Sequence, residues 1–267
     1  MTDDLRADCS RCFALCCVAP AFSASADFAI DKPAGTPCPN LRADHRCRIH
    51  ADLRREGFPG CAAYDCFGAG QKVAQVTFGG RDWRTSPETA PGMFAAFAVM
   101  RPLHELLWYV TQALALDRAT GVREELVRAR EQTEALTRLG PGDLAAVDVS
   151  AHRDAVNALL RRASALARAP YGGPERAGAD LVGADLTGAD LRGASLRGAQ
   201  LIGADLTAAD LDHADVTGAD LRGATIARAD LGRALFLTQS QVDSARGDGA
   251  TRLPAGVARP AHWRSGR

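Results

Sequence analysis

The sequence has little of what identifies the commonest protein classes. Lysine occurs only twice, aromatic residues make up 6% of the chain, and 32 basic residues balance 32 acidic ones. Such a balance provides no global attraction to nucleic acid or to an anionic membrane surface. The most apolar window, residues 93–116, is interrupted by Arg101, His104 and Glu105. It does not supply the ~20 apolar residues of a bilayer-spanning helix, so neither a nucleic-acid partner nor a membrane is predicted.

Targeting and catalytic motifs are also absent from the sequence. The N-terminus, MTDDLRADCS, is acidic and no apolar run follows it, whereas a signal peptide has a basic start followed by such a run. There is no P-loop, no Ser-His-Asp spacing and no paired-carboxylate motif. Residues 67–70 lack the third glycine and the preceding strand of a dinucleotide-binding fingerprint. These absences predict a cytoplasmic protein without a conventional catalytic site.

All eight cysteines lie within residues 9–66, and the rest of the chain has none. In a cytosolic chain this clustering favours metal binding or redox chemistry over structural disulfides. Four thiolates in a tetrahedron suit Zn²⁺ or an iron–sulfur cluster, and eight suffice for two such sites, with Cys16 and Cys17 pointing to different ones. The predicted ligands are Cys9, Cys12, Cys16, Cys17, Cys38, Cys47, Cys61 and Cys66. We expect zinc, with an iron–sulfur cluster as the alternative; a disulfide-stapled or reduced small domain is the interpretation without metal.

This arrangement resembles the small bacterial zinc- or iron-chelating family called YkgJ-like. The similarity covers about residues 7–70 and is carried by CSRCFALCC, the later Cys38, CRIH and GCAAYDC, although the loops differ in length. It implies that the cysteines bind a metal and indicates no further function. His45 and His50 could each replace a thiolate, but with eight cysteines available we expect them at the surface or behind the ligands.

The cysteine-rich region has few large apolar side chains for its length. Burial alone is then insufficient to stabilise about seventy residues. A structural zinc contributes ~10–16 kcal/mol of binding free energy, which would offset the deficit. We therefore predict that this region folds only with its metal.

Residues 179–238 are twelve consecutive five-residue repeats. Alanine occupies the first position of every repeat, and the third position is apolar throughout, from Leu181 to Phe236. On an α-helix a step of five rotates a side chain by about 140° net, and on a flat strand an odd step sends it to the opposite face. The apolar side chains share one core only if the chain turns at every repeat, as in a solenoid.

Tandem A(D/N)LXX repeats resemble the pentapeptide-repeat proteins. The resemblance implies a right-handed quadrilateral β-helix with four repeats in each 20-residue coil, so that Leu181 stacks on Leu201. One column would then place Asp190, Asp210 and Asp230 about 4.8 Å apart. We expect that column to be a solvated acidic face with raised pKa values rather than a ladder of divalent cations.

The chain therefore divides into four predicted segments and is multi-domain. The middle segment has three amphipathic helices, the first opening at Ser86-Pro87 and the second stopping at Gly140. After the repeats, Thr238 and Gln241 have the spacing of a capping box, and the tail through Trp263 is predicted to cap the solenoid. The segments are a metal-stabilised Cys-rich domain (1–80), an α-helical segment (86–169), the β-helix (174–238) and a C-terminal cap (239–267).

Three functions are compatible with this organisation. We favour a non-enzymatic protein whose Cys-rich domain binds Zn or Fe–S and whose solenoid contacts an unidentified protein partner. The first alternative is a redox or metal-dependent enzyme that uses an open coordination position or the C-x2-C pair.

The second alternative is DNA mimicry, since some pentapeptide-repeat proteins imitate DNA and bind type II topoisomerases. Three coils at 4.8 Å each span about 14 Å, the length of roughly four base pairs with about eight charges. The repeats contain nine aspartates and five arginines, a net charge of −4. The solenoid is therefore too short and too weakly charged to favour mimicry.

Overall fold

The computed structural model describes residues 3–265, and outside the repeats its regular structure is helical. Residues 1, 2, 266 and 267, at the outer ends of the first and last predicted segments, lie outside this range. The α-helices in the described residues are α1 (Leu15–Val18), α2 (Pro59–Ala62), α3 (Ala69–Gln71), α4 (Ala90–Leu114), α5 (Arg123–Leu136), α6 (Pro141–Ala145), α7 (Val149–Arg168) and α8 (Gln239–Ser244).

Short helical turns connect these elements. A π-helix follows α3 directly at Lys72–Thr77. The 3₁₀ helices are Asp3–Leu5, His50–Asp52, Pro87–Thr89, Thr120–Val122, Ala169–Tyr171 and Ala261–Ser265. Among the described residues, no helix is both long enough and apolar enough to cross a membrane.

The chain divides into two units that do not follow the four predicted segments. The first unit is Met1–Thr111 with Arg123–Leu159, and the second is Gln112–Val122 with Leu160–Arg267. Because α4 and α7 each run across a boundary, the predicted helical segment contributes to both units.

In the first unit, one hydrophobic core joins the cysteine-rich segment to the helices. Leu15 and Val73, both fully buried, pack in a cluster with Met93, Phe97 and further residues of α4. The three helices were predicted, and their apolar faces are largely buried, although Leu166 on α7 is 40% exposed. Residues of α4 thus provide apolar partners for the cysteine-rich segment; that this segment folds only with its metal stays a prediction.

In the second unit, the repeats form a solenoid with a 20-residue coil, the length that the resemblance to pentapeptide-repeat proteins implies. Parallel bridges join residues twenty apart, among them Asp180 with Gln200 and Gln200 with Asp220. Within residues 3–265 the β-structure consists of isolated bridges: the parallel ones of the solenoid, where each coil side is only a few residues long, and two antiparallel ones, Phe22 with Lys32 and Leu41 with Cys47. The third-position side chains from Leu191 to Leu231 are at most 3% exposed. The right-handed twist stays a prediction.

The aspartates at the second repeat position hold the turns. The Asp185 carboxylate accepts the backbone N–H of Thr187 at 3.0 Å, and the same bond to the residue two positions on recurs in most repeats. The expected rise in pKa is wrong for Asp190. Its side-chain hydrogen bond with Arg192 lowers the pKa of Asp190 to about 2.

The C-terminal segment closes the solenoid, as predicted. Thr238 and Gln241 form a complete capping box at the start of α8. Arg246 and Arg252 then form parallel bridges with the last coil, continuing its ladder. Trp263 is buried and its indole N–H donates to the Ala245 carbonyl at 3.1 Å. Edge groups of the last coil therefore find partners in the tail.

Replacing Leu211 by Asp should unfold the solenoid, because Leu211 is 1% exposed and an unpaired buried carboxylate costs several kcal/mol. Val182→Asp is the matched control, since Val182 is 54% exposed. Circular dichroism and thermal unfolding measure both. A Leu211→Asp protein as stable as the control would contradict the buried placement.

His104 should make the first unit sensitive to acid. Its Nδ1 lies 2.8 Å from the Phe67 carbonyl, and burial lowers the pKa of His104 to about 4. An unfolded histidine binds its proton near pH 6.5, so the unfolded state gains protons first and stability falls as the pH drops from about 6.5 towards 4. At 1.36 kcal/mol per pKa unit, the loss is roughly 2–3 kcal/mol. Denaturant unfolding at several pH values should show that loss in the wild type and not in His104→Gln; equal pH profiles would refute it.

Candidate metal centre

All eight cysteines are free thiols in the structure, and Cys12 and Cys66 are buried. Their neighbours divide them into two groups of four. We name them the first cysteine set, Cys9, Cys12, Cys16 and Cys66, and the second cysteine set, Cys17, Cys38, Cys47 and Cys61.

The first cysteine set lines one small cavity. The other residues around this cavity are Ala7, Asp8, Gly70 and Phe97. Cys9, Cys12 and Cys16 come from the N-terminal turns, whereas Cys66 immediately precedes the left-handed Phe67 and Gly68. Phe97 comes from α4 and is buried, so the long helix forms part of the cavity wall.

A strained turn separates Cys12 from Cys16. Phe13 and Ala14 have φ values of 47° and 56°, a left-handed conformation that costs on the order of 1–3 kcal/mol for each non-glycine residue. The Trp83 indole N–H donates to the Phe13 carbonyl at 2.8 Å and holds the turn. Such strain persists where the surroundings over-determine the backbone, which here fixes the placement of two thiols.

Gly70 provides the space in which two of these thiols meet. A Cβ at this position would lie 2.8 Å from the Cys12 Cβ, a separation that real Cβ atoms do not show. The same point is 3.8 Å from the Cys12 Sγ and 3.9 Å from the Cys66 Sγ. The absence of a side chain at Gly70 therefore keeps the cradle between Cys12 and Cys66 open.

The second cysteine set is assembled from three separate stretches of chain. The Cys38 N–H donates to the Cys17 carbonyl at 3.1 Å, which ties these two residues together through the backbone. Cys47 forms an antiparallel bridge with Leu41. Cys61 lies in α2 beside Gly60. A Cβ at Gly60 would clash with the Phe28 ring, which occupies that space.

Burial and mutual repulsion act on the thiols of the second set. Burial, and after it the charges of Cys17 and Cys38, raise the pKa of Cys61 to about 12. Burial also raises the pKa of Cys47, where Cys17 and Cys38 act in the same direction. The charges of Cys17 and Cys38 thus act on both Cys47 and Cys61, and these four thiols are grouped on that basis.

In the first set, one thiol is acidic and the others are not. The hydrogen bond with the Cys12 thiol lowers the pKa of Cys9 to about 6, and the same bond raises the pKa of Cys12. Burial raises the pKa of Cys66. The hydrogen bond with Cys17 raises the pKa of Cys16 and lowers that of Cys17.

Cys16 and Cys17 connect the two sets. Their Sγ atoms are 3.9 Å apart, close to the ~3.8 Å between sulfurs that share a tetrahedral ion with ~2.3 Å bonds. Within residues 3–265, however, no three His, Cys, Asp or Glu side chains are near enough to hold an ion as they stand. The donor set has the chemistry of a thiolate site, and its side chains must close before they can surround an ion.

The two candidate histidines lie outside both sets. His45 Nε2 is 2.8 Å from the Asp82 carboxylate, and its ring packs edge-on against Trp83. His50 is exposed, and its charge contributes to the lowered pKa of Cys9 after the larger effects of the Cys12 hydrogen bond and burial. Of the two histidines, His50 influences a thiol through its charge, whereas His45 is bonded to Asp82.

Sequence analysis missed Gly70 and Lys32. Lys32 is 3% exposed, and its Nζ donates to the carbonyls of Val18, Pro33 and Thr36 at 3.0–3.1 Å. A signal for Lys32 was present, because it is one of two lysines and lies between Cys17 and Cys38. For Gly70 there was none, since Cys12 is far from it in the sequence.

Gly70→Ala should destabilise the first unit by about 1–3 kcal/mol, the usual cost of overpacking a filled site. Gly142→Ala is the control, because nothing lies within 4 Å of its Cβ position and alanine is the better helix former. Chemical denaturation of the metal-free proteins measures both. If the Gly70 variant is as stable as the wild type, the cradle is looser than the structure indicates.

Comparison with known proteins places the chain in a family. Residues 177–207 and 199–236 match the family described as Pentapeptide repeats (8 copies). "Uncharacterized protein YybG" of Bacillus subtilis (strain 168) is 57% identical over 266 residues, which cover 98% of this chain and 95% of that protein.

Solved structures also match over about a third of the chain. A pentapeptide repeat protein from Nostoc Pcc 7120 is 38% identical over 33% of this chain and 71% of its own, with a TM-score of 0.29. Another, from the Arabidopsis thaliana thylakoid lumen, is 27% identical over 32% of this chain and 55% of its own, with a TM-score of 0.22. The match spans about half of the Arabidopsis protein, and with such TM-scores the solenoid assignment depends on the 20-residue bridges alone. This chain belongs to the family of YybG and is a pentapeptide-repeat protein.

Proposed function

We propose that this protein is a non-enzymatic, cytoplasmic metal-binding protein whose cysteine-rich segment holds zinc in two four-thiolate sites and whose solenoid contacts a protein partner. Eight free thiols in two neighbourhoods of four are the observation that carries the proposal. The resemblance of residues 7–70 to the YkgJ-like chelating family supports the same assignment. Free thiols persist in a reducing compartment, which supports the cytoplasm.

Binding at these sites would proceed by closure of side chains around the ion. Each set draws its thiols from separate stretches of chain, so an ion shared by four of them would cross-link those stretches. Metal binding of this kind is coupled to ordering and adds directly to folding free energy. At a free zinc concentration a thousandfold above Kd, the gain is about 4 kcal/mol.

The first coil of the solenoid supports the proposed contact with a protein partner. The equivalents of Leu181 and Leu186 in later coils are buried, whereas these two are only half-buried and Val182 is 54% exposed. Exposed apolar side chains beside an unpaired coil edge are a feature of surfaces that bind another protein.

Redox chemistry at Cys9 and Cys12 is the second candidate, because a specific observation favours it. Cys9 is exposed with a pKa of about 6, while Cys12 is buried with a raised pKa. In disulfide-exchanging C-x2-C pairs the reactive thiol is likewise accessible and acidic. Iron–sulfur clusters are the alternative occupants of the same thiols, and mimicry of DNA has the least support because of the weak charge of the solenoid.

Anaerobically purified protein should contain two zinc ions per chain and be colourless. Elemental analysis and native mass spectrometry measure the stoichiometry, and the visible spectrum reports iron. Cys61→Ser and Cys66→Ser should each retain one ion, since each removes a ligand from a different set. A brown protein would show that the cysteines hold iron–sulfur clusters instead of zinc. The redox alternative would be established instead if the metal-free protein binds no added zinc and reduces disulfide substrates only when Cys9 is intact.

A further inference from the structure

Lys32 is unusually buried for a lysine. Lysine is almost never fully buried unless it is paired, yet Lys32 is 3% exposed. No carboxylate of residues 3–265 lies within ion-pair distance of its Nζ; the adjacent Asp31 accepts the Ala24 N–H instead. An isolated ammonium in such a place is costly, so other groups must stabilise its charge.

Three carbonyl groups fix the position of the Lys32 ammonium. The carbonyls belong to Val18, Pro33 and Thr36, and an ammonium has three N–H donors in all. Val18 follows Cys17 directly and Thr36 precedes Cys38 by two residues. The ammonium is therefore held against the two backbone segments that the Cys38–Cys17 hydrogen bond joins.

The aromatic residues around Lys32 complete a rigid setting. Its Nζ lies 5.3 Å from the centroid of the Phe22 ring, and Phe22 stacks on Phe28 at 4.4 Å. Phe28 in turn contacts Gly60, the neighbour of Cys61. Burial lowers the pKa of Lys32, and the charges of Cys38, Cys17 and Cys61 oppose that shift by raising it. The charge of the Lys32 ammonium therefore interacts with three of the four thiols of the second set.

The first cysteine set has the opposite surroundings. The charge of Asp65 raises the pKa of Cys66, after the larger effect of burial. Asp8 lines the cavity, with its carboxylate bonded to Ser10. The Arg101 Nε donates to the carbonyl of Asp65, next to Cys66, at 3.2 Å, but the Arg101 guanidinium is paired with Glu105 at 3.0 Å. The charge of His50 acts on the exposed Cys9. No lysine or arginine lines this cavity within residues 3–265.

We propose that Lys32 is a built-in counter-charge for the second cysteine set and makes that set the tighter of two unequal metal sites, the first to fill. A divalent ion with four thiolates carries a net charge of −2, and in a poorly solvated site that charge is costly unless a cation lies near. Lys32 supplies the cation before the ion arrives. The inference depends on the proposed metal binding and deepens it, since it ranks the two sites.

Cadmium titration of the reduced, metal-free full-length protein tests this ranking. The sulfur-to-cadmium absorbance and competition with a chelator give the affinity of each step. Wild type should bind two ions with unequal affinity, and the tighter step should disappear in Cys61→Ser and remain in Cys66→Ser. Lys32→Met should weaken the tighter step 10- to 100-fold, the usual effect of losing a group that supports metal ligands. Lys72→Met, which removes the other lysine, should leave both steps unchanged.

A double variant separates a counter-charge from a structural role. In the Cys61→Ser background only the first set remains, and adding Lys32→Met should not alter its affinity for cadmium. If Lys32→Met weakens both sets equally, or neither, the counter-charge is refuted while metal binding stands. If the wild type takes up no cadmium, the proposed function fails and the inference with it.

Discussion

The attachment of the cysteine-rich segment to α4 is the constraint on which the rest of the first unit depends. This segment has only short helical turns, so its own backbone cannot hold eight thiols in register. Leu15 is buried in the core formed with α4, and Phe97 of that helix closes the cavity of the first cysteine set. The Trp83 bond to Phe13 fixes the strained turn between Cys12 and Cys16. Packing thus sets the positions of the cysteines, and their thiol groups remain free to react or to bind a metal.

The solenoid, in contrast, is held together by contacts that repeat from coil to coil. Each coil pairs with the next through bridges between residues twenty apart, and most turns are held by an aspartate two residues away. The tail supplies the last set of partners, while the first coil has no coil before it. The tail therefore continues one end of the ladder, and the other end is the surface proposed to contact a protein partner.

Much of the second unit could be predicted because its determinants are close in the sequence. The five-residue period predicted the buried leucines, the resemblance to pentapeptide-repeat proteins implied the coil length, and the spacing of Thr238 and Gln241 predicted the capping box. The role of the aspartates was not predicted, since their carboxylates were taken as a surface feature rather than as acceptors of turn N–H groups. That error led to the wrong direction for the pKa of Asp190.

Less of the candidate site could be predicted because its contacts cross long stretches of chain. The clustering of the eight cysteines is visible in the sequence, but their grouping depends on how residues 38–66 fold back. Gly70 and Lys32 act through Cys12 and through the carbonyl of Val18, partners that no local pattern connects to them. The core shared with α4 was missed for the same reason.

X-ray absorption at the zinc edge of the zinc-loaded protein tests the central claim most directly, because it counts the atoms bound to the ion. The account predicts four sulfur ligands at about 2.3 Å around each of two ions, with one such ion left in either Cys61→Ser or Cys66→Ser. Zinc bound mainly through nitrogen or oxygen, or cysteines joined as disulfides with no bound ion, would contradict it.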